Sequence, residues 1–147
     1  MFQPIKLKYK KEHKTSFKNK EYSLNKASLV YGDYGLMARR KGVLFHKELE
    51  AAKKLIAKEV KGIGLVFLRV RPNRPRTKKK KGMRMGKGKG GVENWVVEVS
   101  AGMILLEVCG AVEEKKIKLA LKRSALRLSI KTKNIFFREF EKETFYV

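Results

Sequence analysis

From His46 to about Lys61 the apolar residues Leu49, Ala52, Ile56 and Val60 recur at three- and four-residue spacing, with Lys or Glu at most other positions. That period predicts an amphipathic helix, which Gly62 and Gly64 stop. A second helical stripe begins after Gly110 and runs through Ile117, Ala120, Leu121, Ala125 and Leu128. Glu113 and Glu114 suit the positive first turn of that helix, and Lys122, Arg123 and Arg127 its negative end. Other stretches carry the shorter patterns of strands. Residues 29–45 break into brief apolar runs punctuated by Gly32, Gly35 and Gly42. Leu65 to Arg71 alternates, with Val66, Leu68 and Val70 on one face and Arg69 and Arg71 on the other. Val92–Val99 and Met103–Cys109 read as two further strands joined across Ser100-Ala101-Gly102, a predicted hairpin.

Each apolar stripe needs a face to bury, so the pattern predicts an α+β fold: an antiparallel or mixed sheet covered by two helices. Two stretches lack any apolar period. Residues 1–28 hold many lysines with interspersed Phe2, Tyr9, Phe17 and Tyr22, and read as an extended basic arm that orders on its partner. Residues 72–91 read as a long loop, a length that in a compact domain marks function or disorder. The predicted organisation is an arm (1–28), a single domain (29–136) and a C-terminal extension (137–147).

Charge changes the picture most. Thirty-seven Lys and Arg against 14 Asp and Glu give a formal net charge of +23 on 147 residues, while 43% hydrophobic content is ordinary for a globular chain. Such a domain repels itself unless a polyanion neutralises it. Nucleic acid is favoured over a membrane surface, because no run of about 18 apolar residues exists to span a bilayer and no signal-like segment follows the basic N-terminus. The single cysteine, Cys109, excludes an internal disulfide and a cysteine-based metal cluster, and its apolar surroundings predict burial.

The densest cationic stretch runs from Arg69 to Gly91 with no acidic residue. These charges repel unless phosphates lie between them, and glycines in Gly86-Lys87-Gly88-Lys89-Gly90-Gly91 let backbone N–H groups approach an anion. Two enzyme-like matches fail on context. Gly86, Gly88 and Gly91 satisfy a dinucleotide fingerprint, yet they follow a loop and precede a strand. Gly82 to Lys87 is one residue short of a nucleotide phosphate loop, and Gly88 stands where a hydroxyl should hold magnesium. His13 and His46 lack neighbours at metal-ligand spacing. Glu48, Glu50, Glu113 and Glu114 read as surface helix carboxylates, and Trp95 as core. No catalytic residue, metal or cofactor is expected.

Several segments together resemble one family. Met1-Phe2-Gln3-Pro4 with the following lysines, Tyr31 to Leu36, Glu50-Ala51-Ala52, Arg69-Val70-Arg71-Pro72, Arg84 to Gly90, Val92 to Val96, and Ile130 to Lys133 are similar, in order, to the bacterial and organellar large-subunit ribosomal protein sixteen. The resemblance implies a hammerhead-type α+β fold without catalytic activity. It also implies binding to large-subunit rRNA near the peptidyl-transferase region and the side where tRNA enters, with a part in late assembly. The residues then expected to meet RNA are Lys6, Lys8, Tyr9, Lys10, Lys11, His13 and Lys14 in the arm, and Arg39, Arg40 and Lys41 between the first strands. Arg69, Arg71, Arg74, Arg76, Lys78, Lys79, Lys80, Lys81, Arg84, Lys87 and Lys89 follow in the strand exit and loop, and Lys131 and Lys133 near the end. Arg84 is the side chain expected to matter most, since a guanidinium can bind phosphate or a guanine edge in bidentate fashion.

The sequence departs from the family in the glycine-poor linker Thr15–Val30, in the charged run Lys78–Gly82, in the absence of a proline at Ala111-Val112, and in the aromatic tail from Asn134 to Val147. Residues 134–147, with aromatics mixed among charges, suggest a neighbouring ribosomal protein or an rRNA-stacking contact, of which the former is favoured, and no homo-oligomer is expected. A family-like start at Met1, heavy use of lysine and the added tail point to an organelle-encoded, mitochondrial copy, with a bacterial cytoplasm or a plastid as the alternative. A free RNA-binding or chaperone-like protein shares the charge argument but does not require this order of segments. A phosphate-transforming enzyme would need the glycine-lysine loop in a context it lacks.

Overall fold

The computed structural model describes residues 8–13 and 28–137. Seven strands and two helices follow in the order β1 (Tyr34–Ala38), β2 (Gly42–Phe45), α1 (His46–Glu59), β3 (Gly64–Leu68), β4 (Arg74–Lys78), β5 (Gly91–Val99), β6 (Ile104–Gly110), α2 (Glu114–Ala125) and β7 (Thr132–Phe136). The α+β class expected from the pattern is what the chain adopts, but its strands divide into two antiparallel sheets. One has the order β3-β6-β1-β7, the other β2-β5-β4.

The predicted hairpin of the two long strands does not form. β5 pairs with β2 and β4, whereas β6 pairs with β1 and β3. β6 is buried continuously from Ile104 to Val108, as befits a central strand with both edges and both faces occupied. Its start is steered onto β1 rather than back onto β5, because the Gly102 N–H donates to the carbonyl of Ala38 and the Ala38 N–H to that of Met103, both at 2.9 Å. The second correction is β4, which lies inside the stretch read as loop. Its sequence RPRTK offers no apolar alternation, and Pro75 restricts it to a sheet edge, where it stands beside β5.

α1 (His46–Glu59) keeps within two residues of the stretch its period predicts, whereas α2 stops at Ala125 and leaves Arg127 and Leu128 of the expected helix in the turns that follow it. At the start of α1 the Glu48 carboxylate reaches back to accept the N–H of Phe45 at 3.0 Å, and it also accepts the Ser129 hydroxyl at 3.2 Å. α1 and α2 pack on each other; α1 also rests on β2, β3 and β5, and α2 on β1 and β7. The core gathers Leu36, Leu44, Leu49, Ile56, Val97, Leu106, Val108, Ile117 and Leu121. Both apolar stripes therefore find the cover their periodicity demands. Cys109 departs from expectation: it is exposed, standing opposite the exposed Leu65 near the end of β6.

Candidate nucleic-acid interface

β4 and β5 form a hairpin whose register runs from Arg74 opposite Val96 to Lys78 opposite Gly91, so residues 79–90 are its tip. What reads as a long loop is thus carried on a rigid ladder. Gly86, Lys87 and Gly88 take consecutive positive φ angles of 98°, 52° and 80°, a geometry that favours glycine at both flanks. The Lys79 ammonium donates to the Gly86 carbonyl at 2.7 Å and closes the tip on itself. Gly90 is required for a different reason: a Cβ there would lie 2.5 Å from the carbonyl oxygen of Lys78. Gly90→Ala should therefore prise the ladder open at its tip, destabilising the chain by about 1–3 kcal/mol. Thermal unfolding would show that loss, and an unchanged melting temperature would mean the strands part without strain.

The two basic stretches read separately in the sequence meet at this tip. The Lys11 ammonium donates to the Lys89 carbonyl at 2.9 Å, and the Lys89 ammonium donates to the carbonyl of Glu12. Residues 8–13 thereby lie on the hairpin tip with every side chain exposed, and Lys8 stands over the Tyr9 ring at 5.5 Å. Lys8, Tyr9, Lys10, Lys11 and His13 join Lys80, Lys81, Arg84, Lys87 and Lys89 in one exposed region. Lys6 and Lys14 lie outside the described residues. Backbone carbonyls accept both contacts, so no side-chain pattern announces them.

A second basic feature is the β1–β2 turn. Arg39, Arg40 and Lys41 are exposed there, and the Arg39 N–H donates to the carbonyl of Lys131 at 2.9 Å. Exposed Lys133 follows on β7, opposite Met37. β5 separates the two features, since Gly42 pairs with its last residue, Val99, and Lys78 with its first, Gly91. Eight steps of an extended strand place them about 26 Å apart.

Other expected cations are engaged within the protein. Arg74 pairs with Glu98, Lys78 with Glu93 at 3.3 Å, and the Arg76 guanidinium lies 5.4 Å from the centre of the Phe45 ring. Arg71 is exposed. Arg69 is not on the hairpin at all. Its guanidinium pairs with Glu107, whose side chain is fully buried in β6, and stands 5.2 Å from the centre of the Tyr31 ring. The other oxygen of Glu107 accepts the N–H groups of Val30 at 3.1 Å and Tyr31 at 2.6 Å. Glu107 therefore fixes the path by which the chain enters the domain, a role the sequence reading missed. The signal was present: a carboxylate inside Ile104-Leu105-Leu106-Glu107-Val108 needs a partner, and Arg69 is a cation that directly follows the equally apolar β3.

The helix carboxylates have structural partners. Glu50 holds Lys54 at 3.1 Å, and the hydrogen bond and charge of that lysine keep its carboxyl below the usual range. Glu113 and Glu114 pair with Lys116 and Lys118 along α2. Among the described residues no group of three or more His, Cys, Asp or Glu could hold a metal, and no helix is long and apolar enough to cross a membrane.

Fold and site thus define a class: a small, strongly basic α+β protein whose cations gather on a hairpin tip and a turn at opposite ends of one strand. A family model described as ribosomal protein L16p/L10e matches residues 4–135. Proteins named large ribosomal subunit protein uL16 are 40% identical in Buchnera aphidicola subsp. Cinara cedri, 39% in Stenotrophomonas maltophilia strain K279a and 35% in Francisella tularensis subsp. holarctica strain LVS. Each similarity extends over 132 residues, 90% of this chain and 94% of the relative. The chain belongs to the L16p/L10e family of ribosomal proteins, structural components of the ribosome and not enzymes.

Proposed function

We propose that this chain, as a structural constituent of the large ribosomal subunit, binds large-subunit rRNA through the arm, the hairpin tip and the β1–β2 turn. In this reading the tip lies near the peptidyl-transferase region and reaches the tRNA on the side where it enters, and the protein supports translation and late subunit assembly. The observation that carries it is the joining of arm and tip by Lys11 and Lys89, which concentrates exposed cations from two separate stretches of the chain. Phosphates neutralise such a surface and release counterions. Arg39, Arg40, Lys41, Lys131 and Lys133 supply a second contact about 26 Å away along β5. Arg69 serves the site indirectly, by holding Glu107 and the arm exit.

The arm of residues 1–28, the domain of residues 29–136 and the extension beyond it are the units of this proposal. Residues 136–147 lie past the family match, and residues 138–147 lie outside the described residues. Their aromatic and charged composition supports contact with a neighbouring ribosomal protein. Bacterial relatives support the cytoplasmic alternative, while lysine usage and the added tail support a mitochondrial ribosome.

Directed cleavage tests the placement. With Cys109→Ser removing the native thiol, a hydroxyl-radical source tethered through Arg84→Cys in reconstituted subunits should cut rRNA around the peptidyl-transferase region and bound tRNA. Cuts confined to rRNA remote from that region would overturn the placement of the tip.

A further inference from the structure

The hairpin tip carries two apolar side chains that phosphate binding does not explain. Met85 has 98% of its surface open and Met83 51%, on either side of Arg84. Gly82 and Gly86, both at positive φ, bracket the three residues in a segment that is neither helix nor strand. A thioether offers no donor to a phosphate oxygen, so a loop shaped for phosphates alone has no use for methionine at so exposed a position. Methionine does make favourable contacts with aromatic rings, through a polarisable sulfur on a chain that adapts its shape. Tyr9, itself 66% exposed, belongs to the arm segment that Lys11 and Lys89 bring to the same tip.

A partner suited to this surface must be anionic along its backbone and apolar on an accessible face. An unpaired nucleotide meets both conditions, whereas a paired duplex keeps its base faces stacked away from side chains. We propose that Met83-Arg84-Met85 is a nucleobase contact site: the two thioether side chains pack on the face of an unstacked base while Arg84 and Lys87 hold its neighbouring phosphates. The inference rests on the RNA-binding reading and narrows it, from RNA in general to RNA presenting an unpaired base.

The test uses the full chain and two probes, a fully paired RNA hairpin and the same hairpin with a bulged fluorescent purine analogue. At equal salt the protein should bind the bulged probe about fivefold more tightly, the order expected of two thioether–ring contacts. The analogue's fluorescence should rise as it leaves the RNA stack. Replacing both Met83 and Met85 by alanine should abolish the preference and the fluorescence change while leaving the salt dependence intact. Replacing both by leucine should retain most of the preference. Arg84→Ala should instead lower the salt slope. Because Met85 is almost wholly exposed, these variants should melt as the parent does. Equal affinity of the parent for both probes, or a preference that survives the double alanine variant, overturns the proposal. A double alanine variant that keeps the preference but leaves the ribosome also overturns it, in favour of a protein pocket as the partner. Failure to bind either probe would overturn the RNA-binding reading itself.

Discussion

Glu107→Ala is expected to destabilise the chain by about 3–5 kcal/mol, the usual loss when one partner of a buried ion pair is removed. The side chain is fully buried, and one of its oxygens meets Arg69 while the other accepts the N–H groups of Val30 and Tyr31. Deletion leaves the guanidinium without its counter-charge and two backbone donors without an acceptor. In a domain of this size the melting temperature should fall by about 10–20 °C, measured on the full chain by circular dichroism. Glu107→Gln should fall less, because the amide oxygen still accepts one of these bonds. Arg69→Ala should cost stability as well as RNA affinity, which separates it from Arg84→Ala. A fall below about 4 °C for Glu107→Ala would mean that the carboxylate does not anchor the entry of the chain.

The second large effect concerns salt. If about ten phosphates are neutralised, affinity for large-subunit rRNA should drop by about 10³ to 10⁵ between 50 and 200 mM monovalent salt. Lys80, Lys81, Arg84 and Lys87 are exposed at the hairpin tip. Replacing all four by alanine should lower the logarithmic salt slope by about three to four. Over that fourfold change in salt the variant's loss should be smaller by about sixty- to two-hundred-and-fifty-fold. Lys116→Ala is the control, since that lysine pairs with Glu113 on α2 and should leave the slope nearly unchanged. A quadruple variant with the parent's slope would remove the tip from the phosphate contacts.

These two predictions fall on opposite sides of what the sequence discloses. The cationic tip is legible because charge density and glycine spacing survive without knowledge of the fold. Both helices are legible for the same reason: their apolar residues repeat locally, and burial follows the repeat at Leu49, Ala52, Ile56, Ile117 and Leu121. The pairing of strands is not local. β5 and β6 adjoin in sequence, yet their partners are chosen by which edges β1, β2, β3 and β4 leave open. β4 escapes notice because a proline-containing, fully polar strand has no pattern of its own and borrows its ladder from β5. Arg69 looks like its cationic neighbours in sequence and differs only because Glu107 lies beneath it. The seating of residues 8–13 on the tip uses main-chain acceptors, which every residue possesses and no sequence pattern marks.

The most direct measurement is the sedimentation of the tagged chain through a sucrose gradient of cell or organelle lysate at low salt with magnesium. The account predicts that it travels with the large subunit and with intact ribosomes. Finding it at the top of the gradient while ribosomes remain intact would contradict the ribosomal reading and favour a free RNA-binding protein.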